Sequence, residues 1–277
     1  MDSIGEKIEI INRIVERLEA YLNGLPENKW SVPSQCDLWE VGDVVSHLAG
    51  GAKRQADSMV KGRQGVAEAP TNFPTPDAST MSTGNARRDI EQRRNLGNNL
   101  FKAYVSNHTE LYDLLKSFSA KEWDTPCWHA RRGAIPAKDY VDLRLQELVI
   151  HDWDIRASID SDVNLDEEGS LALLSVAQTW LSMTFRPGRE VPQDICFRFL
   201  VDQQPAYSHD VISNGSTFKI KPVSATDPQI TINCDSDSYL LLVYGRILAS
   251  DKETVSRINT QGEDSLLQYF EEWFKGL

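Results

Sequence analysis

The segment RLQELVIHDWDIRASI, residues 144–159, decides how this chain is read. Glu147, His151 and Asp154 follow one another at spacings of four and three. On an α-helix, positions four apart stand on one face, so Glu147 and His151 can meet a single ion. The residues between them, Leu148, Val149 and Ile150, are apolar, which places the helix in contact with neighbours on several sides. An unpartnered buried carboxylate costs roughly several kcal/mol after relaxation. A buried Glu147 therefore calls for a cation, a basic residue or a shifted pKa. The other reading of the pair is a solvated polar stripe.

A second segment bears on the choice. His47 lies in VVSHLAGG, residues 44–51, on an apolar stripe with Val44, Val45 and Leu48. A histidine in that setting is either a hydrogen-bonded core residue or a ligand. If it faces Glu147 and His151, two imidazoles and one carboxylate leave open positions on a zinc-like or iron-like ion, as a catalytic metal requires. Helix bundles build metal sites from facing helices in this way. Asp154, one turn beyond His151, can accept a hydrogen bond from a ligand, contact a substrate, or pair on the surface with Arg156 or Arg144. Cys36 stands near the start of the His47 helix, where the helix dipole favours a thiolate. Its alternative is a small buried turn residue.

The rest of the chain supplies the frame. Apolar residues at spacings of three and four predict helices over Ser3–Leu25, from Asp37 or Trp39 onward, over Asn85–Phe118, and from Pro136 through Ile159. The stretch from Ala67 to Gly84 is rich in Pro, Ser and Thr and reads as a surface loop, and a second loop covers 119–137. This is the pattern of a four-helix bundle over residues 1–162. After Asp160 an acidic linker leads to a helix from Ser170, and then to short alternating runs around 194–202, 206–213, 216–222 and 229–235. Helices SYLLLVYGRILAS and DSLLQYFEEWF follow. Residues 163–277 thus read as an α+β domain with an antiparallel sheet.

Bulk properties narrow the partners. The chain has 277 residues, 40% of them hydrophobic and 25% charged, which is ample for one or two cores. A net charge of −12 repels phosphate backbones and anionic headgroups, so neither nucleic acid nor a membrane surface is expected as a partner. The expected partner is a small molecule, with the chain a monomer or homodimer. The N-terminal stretch reads as an amphipathic helix and not a signal peptide. The four cysteines form no C-x-x-C pair, so a reduced, cytoplasmic protein is expected.

Three stretches carry a resemblance: WSVPSQCDLWEVGDVVSHLAGG, RLQELVIHDWDIRASI and LLLVYGRI. Together they are similar to the mycothiol-dependent maleylpyruvate isomerase family, a branch of the DinB-like helical-bundle superfamily. The resemblance implies a DinB-like bundle followed by a smaller sterol-carrier-like α+β domain. It implies ligation of a divalent metal, usually zinc, by His47, Glu147 and His151, with Asp154 matching the aspartate after the second histidine. Arg246 matches the arginine of the C-terminal signature, expected to face the cleft between domains and to hold a substrate carboxylate; the other reading is a helix-end arginine capping carbonyls. Arg54, on the His47 helix, is a second candidate for that carboxylate. Family members use a low-molecular-weight thiol as cosubstrate. The chain departs from the family in its acidic linker, its Pro-rich loop, and Asp37-Leu38 where Pro-Gly is frequent.

The resulting expectation is a metal-dependent isomerase or thiol S-transferase acting on a small anionic electrophile. Two alternatives remain at this point: a metal-dependent hydrolase of thiol conjugates or amides, and a small-molecule or lipid-binding module with a vestigial site. His108, His129 and His209 receive no role.

Overall fold

The structure, a computed structural model, describes residues 3–71, 73, 81–251 and 257–276. It divides into two compact units, Met1–Gly169 and Ser170–Leu277. The first is helical and the second is built on a sheet.

In the first unit, α1 (Ile4–Asn23) starts at a capping box formed by Ser3 and Glu6 and buries the stripe Ile8, Ile11, Ile14, Val15, Leu18 and Leu22. Helix α2 (Val41–Arg63) is buried on most sides and packs against α3 (Met81–Leu96), α4 (Leu100–Lys116) and α5 (Ala137–Arg156). Helix α1 packs on α4 and α5. The described residues of this unit thus form five α-helices and not four. The single helix expected over Asn85–Phe118 is broken at Gly97, whose φ of +51° is a left-handed conformation that ends α3 and turns the chain into α4. Residues 72 and 74–80 of the loop expected over 67–84 lie outside the described residues, and its last residues, from Met81, are helical.

The loop expected over 119–137 contains a hairpin, β1 (Pro126–His129) and β2 (Gly133–Pro136), in antiparallel register with Cys127 opposite Ile135. Strand β1 packs on α2 because Gly62 has no side chain. A Cβ there would stand 2.5 Å from Cys127 Sγ and 2.7 Å from the Pro126 carbonyl oxygen.

Helix α5 is buried nearly all round from Arg144 to Ile155, as its apolar intervals predict. Its end is followed by Asp166, which caps α6 (Glu167–Thr184) by accepting from Gly169 N at 2.8 Å and binds Arg13 and Arg17 of α1, each at 2.6 Å.

The second unit holds β3 (Ile195–Val201), β4 (His209–Ser213), β5 (Phe218–Pro222), β6 (Ile230–Cys234) and β7 (Ile258–Gly262), in the order β5-β4-β3-β6-β7. Pairing is antiparallel except between β3 and β6, which run parallel. This corrects the all-antiparallel expectation: after β5 the chain returns to the free edge of β3 instead of adding outside β5. Strand β7 was not anticipated, since INTQG is polar and too short to show alternation. Along β3 the inward Phe197 and Phe199 meet Phe270 and Tyr239 from α8 (Leu267–Trp273) and α7 (Ser236–Val243). On the other face Arg198 stands opposite Asp210 and binds it through two nitrogens at 2.7 and 3.0 Å. Among the described residues no helix is long and apolar enough to cross a membrane.

Candidate metal centre

Helices α2 and α5 bring His47, Glu147 and His151 together, with one donor atom from each lying within 4.8 Å of the others. Glu147 Oε2 is 2.7 Å from His47 Nε2 and 3.4 Å from His151 Nε2. The two imidazole rings meet edge to face, with centroids 4.9 Å apart, and Trp39 lies 4.8 Å from the His47 ring. Trp39 is placed by the turn before α2, where its N–H donates to the Cys36 carbonyl and Ser34 N–H donates to the Trp39 carbonyl.

Each imidazole is held from behind by a buried carboxylate. His47 Nδ1 lies 2.7 Å from Asp89 Oδ2, and His151 Nδ1 lies 2.8 Å from Asp154 Oδ2. Both aspartates are fully buried. A carboxylate at Nδ1 keeps a proton on that nitrogen, so the neutral imidazole presents a lone pair at Nε2. Two Nε2 lone pairs and the Glu147 oxygen then converge as three acceptors with no donor among them. Such a set requires protons or a cation between its members, and a divalent metal fits it without changing any residue. Without an ion, charge is shared inside the set. Burial opposes it, but His47 and His151 hold the Glu147 carboxyl well below the usual carboxylate range. Burial likewise opposes protonation of His151, yet its bonds to Asp154, Cys36 and Glu147 push the ring well above the usual histidine value.

Asp89 belongs to α3 and was not foreseen. Its carboxylate also accepts from Arg88 Nε and Nη2, both at 2.8 Å. Against the penalty of burial, the His47 and Arg88 hydrogen bonds hold it at about 2. Helix α3 reaches His47 because α2 presents small residues at Gly42, Ser46 and Gly50. Arg93 and Gln92 side chains fill the space where β-carbons of Gly42 and Gly50 would stand, and Ser46 Oγ donates to the Asp89 carbonyl at 2.8 Å. That i, i+4, i+8 stripe beside His47 is a signal in the sequence for a close neighbour on this face, one that the sequence reading did not use.

Asp154 makes none of the surface ion pairs considered from sequence. Arg156 binds Asp152 at 2.6 Å, while Asp154 takes His151 and the Cys36 S–H, the latter at 3.1 Å. Cys36 sits 3.8 Å from His151 Nδ1, so it is part of this surround. Arg144 is buried, its Nη1 donating to the Leu48 carbonyl at 3.3 Å. His129 is in β1, half-buried against Tyr140; burial and the adjacent Arg131 and Arg132 hold it at about 4. Arg246 lies in the second unit just past α7, and its Nη1 donates to the Tyr244 carbonyl at 3.0 Å.

The family model described as mycothiol maleylpyruvate isomerase N-terminal domain matches residues 11–156, more than half of the chain and all of the residues that build this centre. The chain belongs to this family. Two solved structures are similar to it: crystal structures of the mycothiol-dependent maleylpyruvate isomerase and of a histidine-to-alanine mutant of it. Each is 16% identical in sequence, with a TM-score of 0.64 and 95% of both chains covered. At that identity the likeness establishes the fold alone, a helical part followed by a sheet-containing part. No curated protein matches the chain in sequence.

Proposed function

We propose that this member of the mycothiol maleylpyruvate isomerase family is a divalent-metal-dependent enzyme that uses a low-molecular-weight thiol, mycothiol or a close equivalent, to isomerise a small anionic electrophile. The observation that carries the reading is the convergence of three acceptors, His47 Nε2, His151 Nε2 and Glu147 Oε2, backed by two buried carboxylates. His47, Glu147 and His151 would hold a zinc-like ion, which when bound would lower the pKa of a coordinating thiol and so favour a thiolate at neutral pH.

The chain's own residues do the rest. His47, Glu147 and His151 fix the donor atoms on facing helices. Asp89 and Asp154 keep the Nδ1 protons in place and the rings in orientation. Trp39 covers the His47 ring and reduces access of water on that side. Arg246 is assigned to a substrate carboxylate. Addition of the thiolate to a conjugated cis double bond moves its π electrons onto the conjugated carbonyl. The former double bond then rotates, and return of the electrons expels the thiolate and leaves the trans product. The same reading divides the chain into a DinB-like domain over 1–162 and a sterol-carrier-like domain over 163–277, and places the protein in the cytoplasm.

Metal analysis joined to a thiol-dependence assay tests the proposal. The purified chain is expected to hold one divalent ion, and His47→Ala and His151→Ala are expected to hold none. Cis–trans isomerisation of a conjugated cis-enoic acid is expected only when thiol is added. Full metal occupancy in either variant, or turnover independent of thiol, overturns it. Arg246→Ala should raise KM for the anionic substrate while leaving metal content alone; an unchanged KM removes the carboxylate role.

A further inference from the structure

Arg54 stands on α2 seven residues after His47, two turns along and on the same side of the helix. Helical side chains lean toward the N-terminus, so its guanidinium points back toward the metal centre. It crosses over Gly50, where a Cβ would stand 2.6 Å from Arg54 Nη1. Its Nη2 stops 3.8 Å from Asp89 Oδ1, beyond hydrogen-bond range. Asp89 is already committed to Arg88 and His47. Among the described residues Arg54 donates no hydrogen bond, and its side chain keeps 43% of its surface exposed.

Arg54 is repelled by Arg88 and Arg144 and attracted by Asp89 and Glu147. A divalent ion held by the triad would add positive charge beside it. A five-donor fork that makes no hydrogen bond among the described residues and only a 3.8 Å ion pair to Asp89, beside the candidate centre and open to solvent, can receive a carboxylate.

We infer that Arg54 binds a carboxylate of the substrate at the edge of the metal centre, by paired hydrogen bonds from its guanidinium. Arg88 adds field but no contact, because its Nε and Nη2 are held by Asp89 and its Nη1 by Asn85. Burial, together with Arg88 and Arg144, lowers the Arg54 guanidinium to about 10, so the group is charged at neutral pH. The inference rests on the proposed function for the owner of the carboxylate, a short-chain electrophile.

Binding can be read without turnover. Isothermal titration of the metal-loaded full chain with maleate, a short cis dicarboxylate, measures the subsite, and dimethyl maleate is the neutral control. Arg54→Gln is expected to weaken maleate at least tenfold with metal content unchanged, and Arg54→Lys to recover part of the loss. In turnover with thiol, Arg54→Gln is expected to raise KM for an anionic electrophile and leave KM for a neutral one alone. Maleate affinity within twofold of the unaltered chain in Arg54→Gln overturns the inference. So does equal weakening of the neutral control, or a loss that Arg54→Lys does not relieve. Arg54-dependent maleate binding in a protein with no thiol-dependent turnover would uphold the subsite and remove the proposed reaction. Thiol-dependent turnover with an Arg54-independent KM would do the reverse.

Discussion

Asp89 and His47 meet across two helices, Oδ2 to Nδ1 at 2.7 Å, with the carboxylate wholly buried. The pairing makes α3 part of the candidate metal centre although it supplies none of the three converging donor atoms. It repeats, from a different direction, what Asp154 does for His151.

Removing that support should loosen the ion without unfolding the bundle. Asp89→Ala is expected to weaken metal affinity on the order of 10–100-fold, the usual effect of losing the partner of a ligating histidine. Asp89→Asn, which keeps an acceptor for the Nδ1 proton, should fall between it and the unaltered chain. Competition against a chelating dye gives both values, and affinity unchanged in Asp89→Ala refutes the role.

Metal removal should also register as lost stability. A ligand bound only to the native state at about 100 times its Kd contributes about 2.7 kcal/mol. For a unit of this size that corresponds to a Tm shift on the order of 5–10 °C. A chelator is therefore expected to lower the Tm of the metal-loaded chain and to leave that of His47→Ala and His151→Ala unmoved. Equal shifts in all three would place the stabilising ion elsewhere.

His108 gives a pH signature independent of the metal. It is buried on α4 with Nδ1 donating to the Tyr104 carbonyl at 2.8 Å, and burial together with Arg144 lowers it to about 3. The unfolded chain takes up this proton near pH 6.5 and the folded chain does not. The stability it represents is complete above pH 6.5 and is lost as pH falls toward 3, by at most about 1.4 kcal/mol per unit. His108→Leu should flatten the fall over that window, whatever its stability at pH 7. Urea midpoints from pH 7 to pH 4 measure the slope; parallel slopes in the two proteins count against a neutral buried ring.

Asp166 acts in the same direction at lower pH. Although burial opposes it, Arg13, the Gly169 N–H and Arg17 hold its carboxyl below the usual range. A depressed folded pKa means stability present above about pH 3.9 and lost as pH drops through the folded value. Asp166→Asn keeps a capping oxygen but no charge, and should cost about 1–3 kcal/mol at pH 7 and much less near pH 3. Denaturation at the two pH values compares them, and a cost independent of pH would assign it to packing.

Much of the frame was legible in the chain. Periodicity located α1, α2 and α5, and alternation located β3 to β6, because these segments bury one face or all faces consistently. The turn at Gly97 was hidden by apolar spacing that continues through it, and β1, β2 and β7 are too short to show a period. The parallel pairing of β3 with β6 depends on where the chain returns, which strand composition does not encode. At the centre, spacing put Glu147 and His151 on one face. The apolar stripe around His47 raised it as a third ligand and left the question open, the family resemblance implied it, and Asp89 was invisible because nothing in DIEQRR separates it from a surface acid.

The close approach at Gly62 makes position 62 a point of zero tolerance in an otherwise permissive stretch. In a saturation library scored for soluble expression, Gly62 should accept no other residue, alanine included, because Cys127 and the Pro126 backbone already occupy the volume of its first carbon. Its exposed neighbour Lys61 should accept nearly all. That contrast across one peptide bond would report hairpin docking in living cells, with no ligand or assay of activity.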